Sequence, residues 1–308
     1  MADKASTSKA VCEYAAEIND VGLQIDAFNP PPEPELDEGG GLLGSRYRDS
    51  SWLTQTKHDL KFSIDTKMTY AEAESIIPLF FGGGTDSGAG NFTGFTKQQL
   101  FSDPAATANK FDLMVDYLHE SGKLKKYNDN YLTRVEVTAQ DANPLQFLLH
   151  FIGTAAPTEP TDSIASPTGA SWASAADNTV YINANTYHPD SIKWIFDYHL
   201  LYGFPAQLYP LVRGAGEFEV SGEMTFTLNT DVWADLIAIA GTTSTIANLN
   251  TVADDGTSGV GFEATKIRIT GPWPTISGEG PEEVTHTLGF KGYGSAASMC
   301  NAYTKTPA

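Results

Sequence analysis

Leu60, Phe62 and Ile64 alternate with Lys61, Ser63 and Asp65, the period of a strand with one face in a core and the other in water. The same alternation recurs over residues 132–138, 145–152, 179–183 and 192–198. It is longest over residues 217–228, where Phe218, Val220, Met224, Phe226 and Leu228 face one way and Glu217, Glu219, Ser221, Glu223, Thr225 and Thr227 the other. Residues 262–270 and 283–290 complete the predicted strands. Helical spacing is rarer. Thr69 followed by Glu72 has the form of a capping box ahead of Ile76, Ile77, Leu79 and Phe80, with Pro78 expected to kink or end that helix. Phe111, Val115 and Leu118, closed by Gly122, predict a short second helix. Thr230 is expected to cap a third over Val232, Trp233, Leu236, Ile237 and Ile239, stopped by Gly241. The pattern therefore predicts a mainly β chain of sandwich or barrel-like modules with short flanking helices.

Residues 1–43 carry Pro30, Pro31, Pro32 and Pro34 among acids, then Gly39, Gly40 and Gly41, and are expected to form an extended acidic arm. Within it Val21, Leu23, Ile25 and Phe28 suggest a stretch that also packs on something. Residues 44–155 are expected to form a first β-module with a loop and helix insertion at 82–122. A low-complexity bridge, residues 156–176, leads to a second module at 177–308. The two modules share an order: alternating strand, Thr-capped helix, insertion, two strands. Residues 133–138 (Thr-Arg-Val-Glu-Val-Thr) answer residues 265–270 (Thr-Lys-Ile-Arg-Ile-Thr) apolar for apolar, which reads as internal duplication.

Composition narrows the function. With 38 acidic against 19 basic residues the formal charge is -19, and a field of that sign repels a nucleic-acid backbone. Cys12 and Cys300 are too few for a disulfide framework and are expected to be free thiols. No apolar run approaches the ~18 residues of a membrane span, so no membrane insertion is expected and the chain reads as made in a cytoplasm without a signal peptide.

Catalytic motifs are sparse. The six histidines (His58, His119, His150, His188, His199, His286) show no metal-ligand spacing. Gly88, Gly90 and Gly94 miss the dinucleotide fingerprint by one residue, and Asp254-Asp255-Gly256 reads as a turn rather than a calcium loop. Glu217, Glu219 and Glu223 share one strand face, as a carboxylate pair for glycoside hydrolysis would, but the aromatics Phe218 and Phe226 point the other way. No enzyme activity and no cofactor are expected.

Tyr209-Pro210-Leu211-Val212-Arg213-Gly214 leads into residues 217–226, with Val220-Ser221-Gly222 at its centre, and then to Trp233-Ala234-Asp235-Leu236. This stretch resembles the tail tube (major tail) proteins of bacteriophages with long non-contractile tails. Residues 267–274 and 288–293 are similar to that family's last two strands. The resemblance extends from about Leu42 onward, in the order of elements more than in identity; residues 1–41 and the insertion at 82–122 have no counterpart. It implies β-modules whose sheets join across subunits around a lumen, in rings of six modules that stack into a tube for the genome. Three duplicated chains, or six single-module ones, would make a ring, with tape measure and tail-end proteins of the same virion as further partners. DNA would pass without specific binding, and the chain would reside in the virion tail after assembly in the host cytoplasm. The candidate lumen-facing residues are Glu217, Glu219 and Glu223 in the second half and Lys61, Ser63 and Asp65 in the first. A carbohydrate-binding or adhesin-type β-sandwich on a particle surface is the alternative.

Overall fold

Alternating sequences become strands only where other strands satisfy their backbone N–H and C=O groups, and here nearly all of them do so in one antiparallel sheet. A computed structural model of the chain describes residues 9–14, 21–33, 35–38, 53–84, 86–116, 124–140, 143–159, 173–174, 178–182, 185–205, 207–227, 246–270, 285–294 and 299–305. From the N-terminal side these form β1 (Lys9–Tyr14), β2 (Val21–Asn29), β3 (Glu35–Glu38), β4 (Leu53–Lys57), β5 (Lys61–Lys67) and α1 (Tyr70–Phe81). There follow β6 (Asp86–Ser87), β7 (Thr96–Gln99), β8 (Phe111–Asp116), β9 (Leu124–Gln140) and β10 (Gln146–Gly153). The second half holds β11 (Asn178–Ile182), β12 (Asn185–Tyr187), β13 (Ser191–Asp197), β14 (Leu201–Gly203), β15 (Leu211–Gly214) and β16 (Glu219–Thr227). It ends with β17 (Ile246–Asp254), β18 (Gly259–Thr270), β19 (Thr285–Gly292) and β20 (Cys300–Lys305). The fold is mainly β.

Sixteen of these strands belong to one sheet; β3–β4 and β14–β15 are separate two-stranded ribbons. In the first half the pairings β1–β2, β2–β5, β5–β10, β10–β9, β9–β8 and β8–β1 form a closed circuit. In the second half β11 pairs with β12, the chain runs on into β13, and the pairings β13–β16, β16–β19, β19–β18, β18–β17 and β17–β11 close a second circuit of the same order. In both, a later strand inserts between two earlier ones: β10 between β5 and β9, and β19 between β16 and β18. The two circuits meet where β9 pairs with β13, from Gln140 opposite Ser191 to Arg134 opposite Asp197.

One hydrophobic cluster underlies both circuits, from Leu23 to Ala302. Phe62 stacks on Phe151 at 5.1 Å inside the first circuit, and Trp194 lies parallel to Phe196 at 5.6 Å beneath the second. The capping box forms as its spacing predicts: Glu72 N–H donates to Thr69 Oγ1 at 3.2 Å and Thr69 N–H to Glu72 Oε2 at 2.7 Å. Pro78 does not end α1, which runs on to Phe81 and closes with the Gly82 N–H donating to the Pro78 carbonyl at 2.8 Å. The aromatic end of α1 then reaches the other circuit, with Phe80 against Tyr198 at 4.5 Å and Phe81 against Phe196 at 5.2 Å.

Three expectations need correction. Residues 9–14 and 21–29, expected in an extended arm, are sheet strands, and Leu23 and Ile25 are buried. The packing expected of Leu23 and Ile25 is there, carried by a period-two strand rather than by an arm. Residues 111–116, expected as helix, are strand β8: Phe111, Leu113 and Val115 are all buried, and a spacing of two with partners on both edges outweighs the coincidental spacing of four. The start of the insertion at 82–122, expected as loop, buries Phe92 and Phe95 against Val252 and Tyr303, and β7 within it pairs with β20. Of the bridge at 156–176, Thr158 pairs with Lys126 and Ala173 accepts from Leu145 N–H; residues 160–172 and the helix expected at 230–241 lie outside the described residues.

Candidate functional site

Opposite the core, the sheet presents one polar face that crosses both circuits without a break. Its register sets side chains in rows. Ser63, His150, Arg134, Asp197 and Glu219 form one row; Asp65, Leu148, Glu136, Ile195, Ser221 and Lys291 form the next. Lys67, Gln146, Thr138, Lys193, Glu223 and Gly289 form a third.

Glu136 is the hub of these rows. Its carboxylate lies 2.6 Å from Arg134, 2.7 Å from Lys193 and 3.3 Å from His150. Burial pushes its pKa up, but the hydrogen bond from Lys193 and the charge of Arg134 outweigh this and hold it below the ordinary carboxylate value. Burial in turn lowers the pKa of His150 against the attraction of Glu136. Arg134 extends the network to Asp197 at 3.9 Å, and His199 bridges Asp197 and Glu219 at 3.3 Å each. Glu219 accepts from Lys291 at 3.0 Å, which lowers its pKa. The network thus spans β10, β9, β13, β16 and β19 and straddles the β9–β13 seam.

The structure brings Lys61, Ser63, Asp65, Glu219 and Glu223 onto this one face and leaves Glu217, exposed, just before β16. Lys61 lies 4.6 Å over the Tyr202 ring and 3.8 Å from Asp59; Tyr202 and then Asp59 raise its pKa despite partial burial. Ser63 accepts from Asn29 Nδ2 at 3.0 Å, and both Asp65 oxygens accept from Gln146 at 2.9 Å. The bases Lys61, Lys67, Arg134, Lys193 and Lys291 balance the acids Asp65, Glu136, Asp197, Glu219 and Glu223. The acid excess of the chain is therefore not carried by this face.

Arg134, Glu136, His150, Lys193, Asp197 and Lys291 were not singled out from sequence. Their signal was available: each is a polar position in an alternating strand. What alternation alone could not show is which strands lie side by side. A groove of about 440 Å³ opens over Lys61, Ser63, Arg134, His150, His199 and Tyr202. Among the described residues no cluster of His, Cys, Asp and Glu could hold a metal ion, and no helix is long and apolar enough to cross a membrane. A surface on which opposite charges are already paired has little field left to attract or repel a polyanion. No protein-family model matches the chain, and no curated protein matches it.

Proposed function

We propose that this chain is a non-enzymatic structural protein that assembles with its own copies into stacked rings, the tail tube of a bacteriophage with a long non-contractile tail. The tube is a conduit for DNA, which passes without specific binding; no cofactor takes part. The observation that carries this reading is the repeated circuit: two halves with the same strand order, joined edge to edge so that one polar face runs across both. A unit that joins to a copy of itself within the chain is suited to join to further copies between chains. Three chains then supply six modules to a ring, and the balanced polar face becomes the lumen wall. Ion-paired side chains hold one another and leave few free cations to grip phosphates. The resemblance around Val220-Ser221-Gly222 gives the same reading from sequence. In this role the chain is made in the host cytoplasm and ends in the virion tail, where tape measure and tail-end proteins meet its rings.

Negative-stain microscopy of the purified protein tests the proposal. Rings or tubes with a central channel are expected. Discrete particles at every protein and salt concentration would reject it in favour of a surface binding module.

A further inference from the structure

The groove over the polar face opens at one rim of the sheet. β5 begins at Lys61, β13 ends at Asp197 and β16 begins at Glu219; Lys61 lies opposite Ile152 near the end of β10, and Asp197 opposite Glu219. These strand ends share that rim because the row from Ser63 through His150 and Arg134 to Asp197 connects them. The groove's walls are Asn29 and Pro30 at the end of β2 and, on the other side, Leu200 and Tyr202 leading into the β14–β15 ribbon. Both circuits therefore shape it.

Its spare hydrogen-bonding capacity lies on the donor side. The Lys61 ammonium, on a side chain 55% exposed, is 3.8 Å from Asp59, and Arg134 Nη1 is 3.9 Å from Asp197, both beyond the range of about 2.7–3.2 Å for a made hydrogen bond. Arg134 Nη2 and Lys193, by contrast, are held at 2.6 Å and 2.7 Å by Glu136. Asp197, the one acid among the described lining residues, already accepts from the His199 N–H at 2.6 Å. What the groove can still take is a negatively charged acceptor, a carboxylate or another oxyanion. Carboxylates are plentiful on this chain, with 38 acidic against 19 basic residues, and the balanced polar face does not hold the surplus.

We propose that the groove receives an Asp or Glu carboxylate of a second copy of this chain, held by Lys61 and Arg134. The contact lies at a rim where one ring meets the next, so it names one interaction of the assembly proposed above and rests on that reading. A single exposed ion pair is worth little. Repeated at every chain of a ring, it holds the next copy through avidity.

Zero-length carbodiimide coupling reads this contact in the unsubstituted full chain, because it joins an ammonium only to a carboxylate that already touches it. Chains grown on light and on heavy nitrogen are mixed, assembled, coupled, digested and analysed by mass spectrometry. Peptides linking Lys61 of a light chain to an Asp or Glu of a heavy one are expected. Lys61→Met should raise the protein concentration for half assembly by about two- to fivefold with the thermal midpoint unchanged, and Lys61→Arg should restore it. Assembled rings in which Lys61 couples only within its own chain would overturn the contact and leave ring assembly standing. Lys61-dependent binding of inorganic phosphate by the unassembled chain, with no mixed-isotope link after assembly, would make the groove a free-anion site and overturn it too. Failure of the unsubstituted chain to form rings at all would overturn both.

Discussion

Trp194 and Phe290 meet edge to face over Gly222, their ring centroids 4.9 Å apart. Gly222 lies between them in the sheet, opposite Trp194 on β13 and Phe290 on β19. Its missing side chain is what lets strands from both sides close over the core at this point. A Cβ here would stand 2.0 Å from the Lys193 carbonyl and 2.4 Å from the Phe290 ring. This gives the Val220-Ser221-Gly222 motif a packing reason.

Gly222→Ala should therefore destabilise the fold by about 1–3 kcal/mol, the range for forcing volume into a filled core. Urea unfolding of the full chain measures it. A midpoint equal to that of the unsubstituted protein would show that the strands are not held as closely as described.

Phe196 is fully buried and touches Phe81 of α1 at 5.2 Å and Phe262 of β18 at 5.3 Å. Phe196→Ala should cost about 3–5 kcal/mol and loosen α1 as well as β13. Hydrogen exchange at α1 amides would rise with it; unchanged protection of α1 would deny the helix its role in holding the circuits together.

Glu136→Ala leaves Arg134, Lys193 and His150 facing one another at the seam. Removing one member of a buried ion network costs about 3–5 kcal/mol, but Arg134 and Lys193 are each about a third exposed and solvent screens them, so about 1–3 kcal/mol is expected. Asp65→Asn, at an exposed hydrogen bond on the same face, should cost under about 0.5 kcal/mol. Equal losses from the two would remove Glu136 from the centre of the network.

Acid should weaken the fold in two stages. Burial lowers the pKa of His150, opposed by Glu136, and lowers that of His286. The unfolded chain then binds more protons than the folded one just below the ordinary histidine value of 6.5, so stability falls as pH drops through that window. Glu136 and Glu219 have lowered pKa values, and the stability they contribute is present above the ordinary carboxylate value of 4.5 and lost as pH falls further. Thermal midpoints recorded across pH should show both declines, and His286→Phe should flatten the first. A midpoint that rises on acidification would contradict the sign.

If the polar face lines a conduit, replacing Glu217, Glu219 and Glu223 by lysine adds free cations to its wall. Glu219→Lys also faces Lys291 and His199, so the triple variant should be slightly less stable, yet still assemble. Genome delivery by particles carrying it should slow, as phosphates find partners. Delivery at the unsubstituted rate by assembled triple-lysine tubes would remove the face from the path of the DNA.

Local pattern carried the strands with clean alternation, β5, β13 and β16, and the Thr69–Glu72 cap, because each depends on neighbours within a few residues. It marked Leu23 and Ile25 as packing residues but left them in an extended arm rather than in strand β2, because acids and prolines surround them, and it assigned Phe111 and Val115 to a helix because spacings of two and four overlap on so short a stretch. The seam was not legible at all. Glu136 and Lys193 are both polar positions of correctly anticipated strands, but their meeting depends on the pairing of β9 with β13, and alternation says nothing about which strands become neighbours.

The pairing of β7 with β20 joins residues 96–99 to residues 301–304, with Phe92 stacked on Tyr303 at 3.7 Å. During synthesis the first circuit can complete its own pairings once β10 has emerged, but β7 must wait for about two hundred more residues before its partner exists. Until then a strand edge and the Phe92 ring stand open on a nascent chain. β20 therefore sets the moment at which the first half is finished, and a ribosome stalled before residue 300 leaves a protein with β7 unpaired on that edge and Phe92 without Tyr303, one exposed, adhesive flank.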